Sequence, residues 1–152
     1  VVWPVHCVTG TWGHNIHEAL SQSLARWEMA SGHTCEKVLK GLNPLTEQYS
    51  AFRAEVPRVD DVRTANNAAL MARLAAGEAT LVVAGEALSH CVAASVEDML
   101  AQMDTARLAN TVLLTDCMSP VAGFEQAGAD FLAQVRARGV RTLDAQELLQ
   151  SL

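Results

Sequence analysis

Lysine is nearly missing from this chain: Lys37 and Lys40 are the only two, against nine arginines in 152 residues. The formal net charge is −6, and nothing forms a basic stripe, which argues against a nucleic-acid partner. No apolar run reaches the roughly 18 residues of a membrane span, and no basic-then-apolar leader opens the chain, so no membrane partner is expected. Cys7, Cys35, Cys91 and Cys117 are widely scattered and make no CxxC pair. That spacing argues against a disulfide framework or zinc ribbon and fits the reduced thiols of a cytoplasmic protein. No repeat or low-complexity tract stands out. The opening, Val1-Val2-Trp3-Pro4, lacks an initiator Met, as expected of a piece of a longer chain. What is present is one domain's length of sequence, half of it hydrophobic, enough to bury a sizeable core.

The most informative stretch is Leu81 to Ser95, LVVAGEALSHCVAAS. Four apolar residues run into Gly85, and after a short turn Val92, Val96, Met99, Leu100 and Met103 recur at helical spacing. A buried strand, a tight turn and a helix with Cys91 in its first turn form a nucleophile geometry. The partial positive charge of a helix N-terminus favours thiolate over thiol, and its N–H groups can hold an oxyanion. The same pattern also fits Cys91 as a small buried hydrophobe.

Elsewhere the pattern alternates. A strand end and loop cover Val1–Gly13. A helix capped by His14 or Asn15 turns Ile16, Ala19, Leu20, Ser23, Leu24 and Trp27 inward and stops at Gly32. Thr34–Leu39 reads as a strand, Pro57–Arg63 as a linker whose Asp60-Asp61 pair is a solvated loop, and Thr64 as the cap of a helix ending at Gly77. Asn110–Thr115 is a buried strand. Phe124–Arg138 is a helix burying Phe124, Ala127, Phe131, Leu132 and Val135. Val140–Leu143 is a short edge strand or an extended tail, and Asp144 with Glu147 forms a capping box for a last helix. Such alternation predicts an α/β fold, a parallel sheet with helices on both faces. Sites in these sheets collect at the carboxyl ends of strands, which brings Lys40, after Leu39, to the same edge as Cys91. A lysine there would stabilise a thiolate; the alternative is a plain surface cation.

Three segments, WPVHCVTGT at Trp3–Thr11, KGLNPLTEQYSAF at Lys40–Phe52 and GEALSHCVAASVEDM at Gly85–Met99, occur in that order. Together they resemble the isochorismatase-like cysteine hydrolases, in the nicotinamidase-related branch, from Trp3 to about Gly139. The resemblance implies a three-layer α/β/α fold lacking its N-terminal strands, with residues 1–152 the C-terminal portion of a single hydrolase domain. It implies Cys91 as the nucleophile that forms a thioester with a small amide, and Lys40 as the triad lysine. It also implies a non-prolyl cis bond between Glu86 and Ala87, with the N–H groups of Ala87 and Cys91 as the oxyanion hole. His6 matches a metal-binding histidine, for zinc, iron or manganese, and Trp3 an aromatic lining the substrate pocket. A homo-oligomer is expected.

The departures matter equally. The family's catalytic Asp and its other metal ligands lie upstream of the WPxHC loop and are not in this chain. Asp116 matches a different family position, and His90, as Cys91's neighbour on a helix, points about 100° away; neither replaces the missing base. The expectation is an amidohydrolase that is inactive as this chain alone, its other half supplied by another segment or chain. The alternative is a catalytically silent binding or assembly module.

Overall fold

Three short runs, the first two largely apolar, become strands because each finds a neighbour to share backbone hydrogen bonds. In the computed structural model, which describes Trp3 to Ser151, β1 (Leu81–Val83), β2 (Thr111–Leu114) and β3 (Arg141–Leu143) form one parallel sheet in the order β1-β2-β3. Val82 pairs with Val112 and Leu113 with Thr142. Successive strand residues face opposite sides, and Thr111, Val112 and Leu113 are all fully buried, so both faces of β2 are covered. On the face carrying Leu81, Val83 and Leu113, the core is completed by Met71, Val96, Met99, Leu100, Phe131 and Val135. On the opposite face the cover thins toward β1, where Val82 is 41% exposed.

These elements belong to the second of two units, Leu39–Leu152; the first is Val1–Val38. The second unit also holds α2 (Ala68–Ala76), α3 (Ala93–Gln102), α4 (Thr105–Ala109), α5 (Glu125–Ala137) and α6 (Ala145–Gln150), while α1 (Glu18–Ser31) is in the first. Val92, Val96, Met99, Leu100 and Met103, the stripe expected to face inward, are all buried. The capping box of Asp144 and Glu147 at α6 is formed as expected. On α5 the buried residues are Gly128, Phe131 and Val135, whereas Phe124 and Ala127 stay exposed. No helix among the described residues is long and apolar enough to cross a membrane.

Several local expectations are corrected. Thr34–Leu39 is irregular and not a strand: β-propensity makes a strand only where a ladder partner is available, and none pairs with it among the described residues. α1 ends at Gly32 as expected, but His17 caps it, and no residue in it is buried; Leu20 is 56% exposed and Trp27 48%. A unit of this length with one helix has no opposing apolar face of its own. Thr64 is not the cap of α2; Asn67 is, its side-chain oxygen accepting from the Leu70 N–H. Thr64 is instead buried, donating its hydroxyl to the Asp61 carbonyl at 2.7 Å. Nor is Asp61 a solvated loop residue. Its carboxylate accepts from the Arg63 guanidinium at 2.7 Å and from the Asn43 amide at 2.9 Å, while Asp60 pairs with Arg58 at the surface.

Candidate active site

The chain leaves β1 through Gly85, whose φ of +125° is open to glycine and strained for other residues. The next peptide, Glu86–Ala87, is cis, as the family resemblance implied. A single π turn, Leu88–Val92, then carries Cys91 into α3. Helix entry is thus one turn earlier than periodicity suggested, because the apolar repeat begins only at Val92. The N–H groups of His90 and Val92 both donate to the Ala87 carbonyl at 3.1 Å. Among the described residues, the Ala87 N–H finds no acceptor within the protein.

This turn is latched to the segment after β2. The Gly85 N–H donates to the Cys117 carbonyl at 3.0 Å and the Leu88 N–H to the Ser119 carbonyl at 2.8 Å. The Glu86 carboxylate accepts from both the N–H and the hydroxyl of Ser119 at 3.1 Å. Ser89 Oγ accepts from the Val121 N–H at 3.0 Å. Glu86, Ser89 and Ser119 therefore brace the turn that carries Cys91 against the segment after β2, a role that spacing alone did not reveal.

Lys40 Nζ lies 3.5 Å from Cys91 Sγ and donates to the Gln48 carbonyl at 2.8 Å. Lysine and thiol, 51 residues apart, meet within one unit. The route differs from the expected one. Lys40 does not end a strand; it begins an irregular loop that reverses at Gly41, where φ is +69°. What places it is hydrogen bonding within the loop, where Gln48 Oε1 accepts the Gly41 N–H at 3.0 Å, and between the loop and α3. Ser95 Oγ donates to the Cys91 carbonyl at 2.7 Å and accepts from the Ala51 N–H at 3.0 Å. Asp98, also on α3, accepts from Ser50 Oγ and Arg53 Nε. Cys91, Ser95 and Asp98 stand at i, i+4 and i+7, one face of a helix. That polar stripe runs beside the apolar one and was readable from the sequence.

Trp3 and His6 belong to the first unit, their rings edge-on at 6.4 Å, with His6 Nδ1 2.7 Å from the Pro4 carbonyl. Among the described residues no group of three His, Cys, Asp or Glu side chains is placed to hold a metal. His6 is a single donor and makes no divalent site by itself; the resemblance puts the remaining ligands outside this chain. His90 is packed edge-on between Tyr49 at 5.5 Å and Phe124 at 4.6 Å, its Nδ1 2.9 Å from Ser89 Oγ. The Asp116 carboxylate accepts the Ala145 N–H at the start of α6. Partial desolvation, then the Asp116 carboxylate, pushes the Cys117 thiol above its ordinary value.

No protein-family model matches this chain, and no curated protein does. Solved structures are similar. They include the yeast nicotinamidase Pnc1p (TM-score 0.61, 20% identity, 95% of this chain and 59% of that one). The same enzyme bound to the inhibitor nicotinaldehyde gives a TM-score of 0.64 at 20% identity, again over 95% and 59% of the two chains. An Acinetobacter baumanii nicotinamidase pyrazinamidase matches at TM-score 0.64 and 20% identity, over 97% of this chain and 61% of that one. This chain thus spans about three-fifths of the length of the structures it resembles. The likeness shows the fold, the isochorismatase-like α/β arrangement.

Proposed function

From a chain folded as nicotinamidases are, we propose a cysteine amidohydrolase that cleaves the C–N bond of a small amide, with nicotinamide and related ring amides as the leading substrate class. The observation that carries this reading is the Lys40 ammonium 3.5 Å from Cys91 Sγ, at the first turns of a buried helix. A cation and a helix start both stabilise a negative sulfur.

In the proposed reaction the Cys91 sulfur attacks the amide carbon, forming a C–S bond and leaving the negative charge on the carbonyl oxygen. The N–H groups of Ala87 and Cys91 receive that oxyanion. Collapse breaks the C–N bond; the amine leaves with a proton from an aspartate that the resemblance puts outside this chain. Water then cleaves the thioester, giving the acid and restoring the thiolate. Trp3 is assigned to the substrate ring. His6 is assigned to a divalent metal whose remaining ligands the resemblance puts outside this chain.

One observation favours a second reading, a silent binding or assembly module. Two aspartates downstream of Cys91, Asp98 and Asp116, are engaged with Ser50 and Arg53 and with the Ala145 N–H, so neither is offered as a base. On the first reading the catalytic aspartate comes from another segment or chain, as the resemblance implies, and these 152 residues alone turn over no amide; on the second no base is needed. Ammonia release from nicotinamide by the complete protein tests the proposal. Cys91→Ala is expected to abolish it with an unchanged circular dichroism spectrum; turnover surviving that change would defeat the reading.

A further inference from the structure

The thiol and the ammonium that the proposed function depends on are held by different kinds of structure. Cys91 enters a helix seated in the core. Lys40 sits on a long flexible stem in an exposed position, and from Leu39 to Ser50 its segment contains neither helix nor strand. A loop lysine of that kind samples many positions unless something fixes it.

The structure contains a continuous chain of hydrogen bonds that does so. It begins at Asp98, two turns along α3 from the thiol and 6% exposed. One carboxylate oxygen accepts from Arg53 Nε at 2.8 Å, the other from Ser50 Oγ at 2.6 Å. Ser50, 2% exposed, returns its Oγ to the Phe52 N–H at 3.0 Å, which fixes the local turn. Its carbonyl accepts from Gln48 Nε2 at 3.3 Å. Buried Gln48 in turn binds both sides of the lysine, the Gly41 N–H through its side chain and Lys40 Nζ through its carbonyl. Every buried side-chain polar atom among the described residues has a partner. A fully satisfied buried network of this kind specifies one loop conformation, and breaking one link leaves others desolvated and unpaired.

We propose that Asp98 is a positioning residue: from its place on the Cys91 helix it fixes, through Ser50 and Gln48, the loop that holds Lys40 Nζ against the Cys91 sulfur. The helix that presents the thiol thereby also anchors the cation, so the pair keeps its spacing when the surface moves. This rests on the proposed function, since it gives the lysine its purpose.

The test is the rate of alkylation of Cys91 by iodoacetamide at pH 7, followed by peptide mass spectrometry on the full chain with Cys117 as the internal reference. Lys40→Met is expected to slow Cys91 roughly two- to fivefold, the range of an exposed ionic contact. Ser50→Ala is expected to reproduce most of that loss and Ser50→Thr, which keeps the hydroxyl, to restore the rate. The double variant Ser50→Ala/Lys40→Met should be no slower than Lys40→Met alone, because Ser50 acts only through the lysine. Asp98→Asn goes through the same cycle and decides the matter if Ser50→Ala fails to fold. A normal rate in folded Ser50→Ala, beside a slow Lys40→Met, overturns the positioning role and leaves the proposed function standing. Losses that add in the double variant overturn it too, since they mark a general loosening. An unchanged rate in Lys40→Met strikes the proposed function itself.

Discussion

Gly128 sits on α5 against the turn that carries Cys91, and replacing it separates two opposing effects whose sizes are known. In a free helix interior, Gly→Ala gains about 1 kcal/mol of propensity. Here a Cβ at position 128 would lie 3.2 Å from Leu88 Cδ2 and 3.3 Å from Pro120 Cβ. Both contacts are tighter than side chains adopt without something moving. Leu88 is buried and cannot swing into open space. Pro120 is a rigid ring between two anchored neighbours, Ser119 bound to Glu86 and Val121 to Ser89. Overpacking a close-fitting site costs about 1–3 kcal/mol, so Gly128→Ala is expected to lose about 0–2 kcal/mol net. With about 2–4 °C per kcal/mol for a chain of this size, thermal unfolding followed by circular dichroism should show Tm unchanged or lowered by up to about 8 °C. The functional effect should be larger than the thermal one. Leu88 follows Ala87 directly and precedes Cys91 by three residues, so displacing it shifts both the Ala87 N–H and the sulfur, and under the proposed function a misplacement of about 1 Å there costs up to about a hundredfold in rate. A rise in Tm of about 2–4 °C, the value for an unobstructed helix position, would refute the close packing of α5 on the turn that carries Cys91.

Two further outcomes follow from groups away from the thiol. Arg107 is buried on α4, with Nε on the Leu74 carbonyl at 2.7 Å and Nη1 on the Ala79 carbonyl at 2.5 Å. Lysine has no second arm for that fork, so Arg107→Lys should lose about 1–3 kcal/mol in urea unfolding; a midpoint equal to wild type would count against the clamp. The Arg63 guanidinium and the Asn43 amide hold the Asp61 carboxylate well below the usual carboxylate range. A lowered folded-state value means the contribution is complete above about pH 4, where an unfolded Asp is ionised. It is lost as pH falls through the folded value. Asp61→Asn should therefore be less stable than wild type at pH 6, and the difference should shrink on acidification; a constant difference between pH 6 and pH 2 would contradict this.

Legibility in the sequence tracked the range of the interaction that decides each feature. The α3 stripe, the Asp144–Glu147 capping box and the stop at Gly32 depend on residues within a turn or two, and all three are formed. Thr34–Leu39 carried strand-like residues but no ladder partner, and pairing is not a local property. The stripe of α1 was periodic yet has nothing buried, because periodicity marks a face without supplying what covers it. Lys40 is the most instructive case. A strand ending beside it was expected to bring it to Cys91. It arrives there with no strand at all, through Gln48, Ser50 and Asp98.

The linear chain by itself determined the strands at Leu81, Thr111 and Arg141, the apolar stripe of α3 and the scarcity that made Lys40 conspicuous, since each follows from residue type and near spacing. Only the tertiary structure decided that the ammonium stands 3.5 Å from the sulfur and that Asp98 serves a loop more than 40 residues earlier. Hydrogen bonds between distant segments depend on where the packed core leaves their backbones, and that position is written in no single stretch of residues.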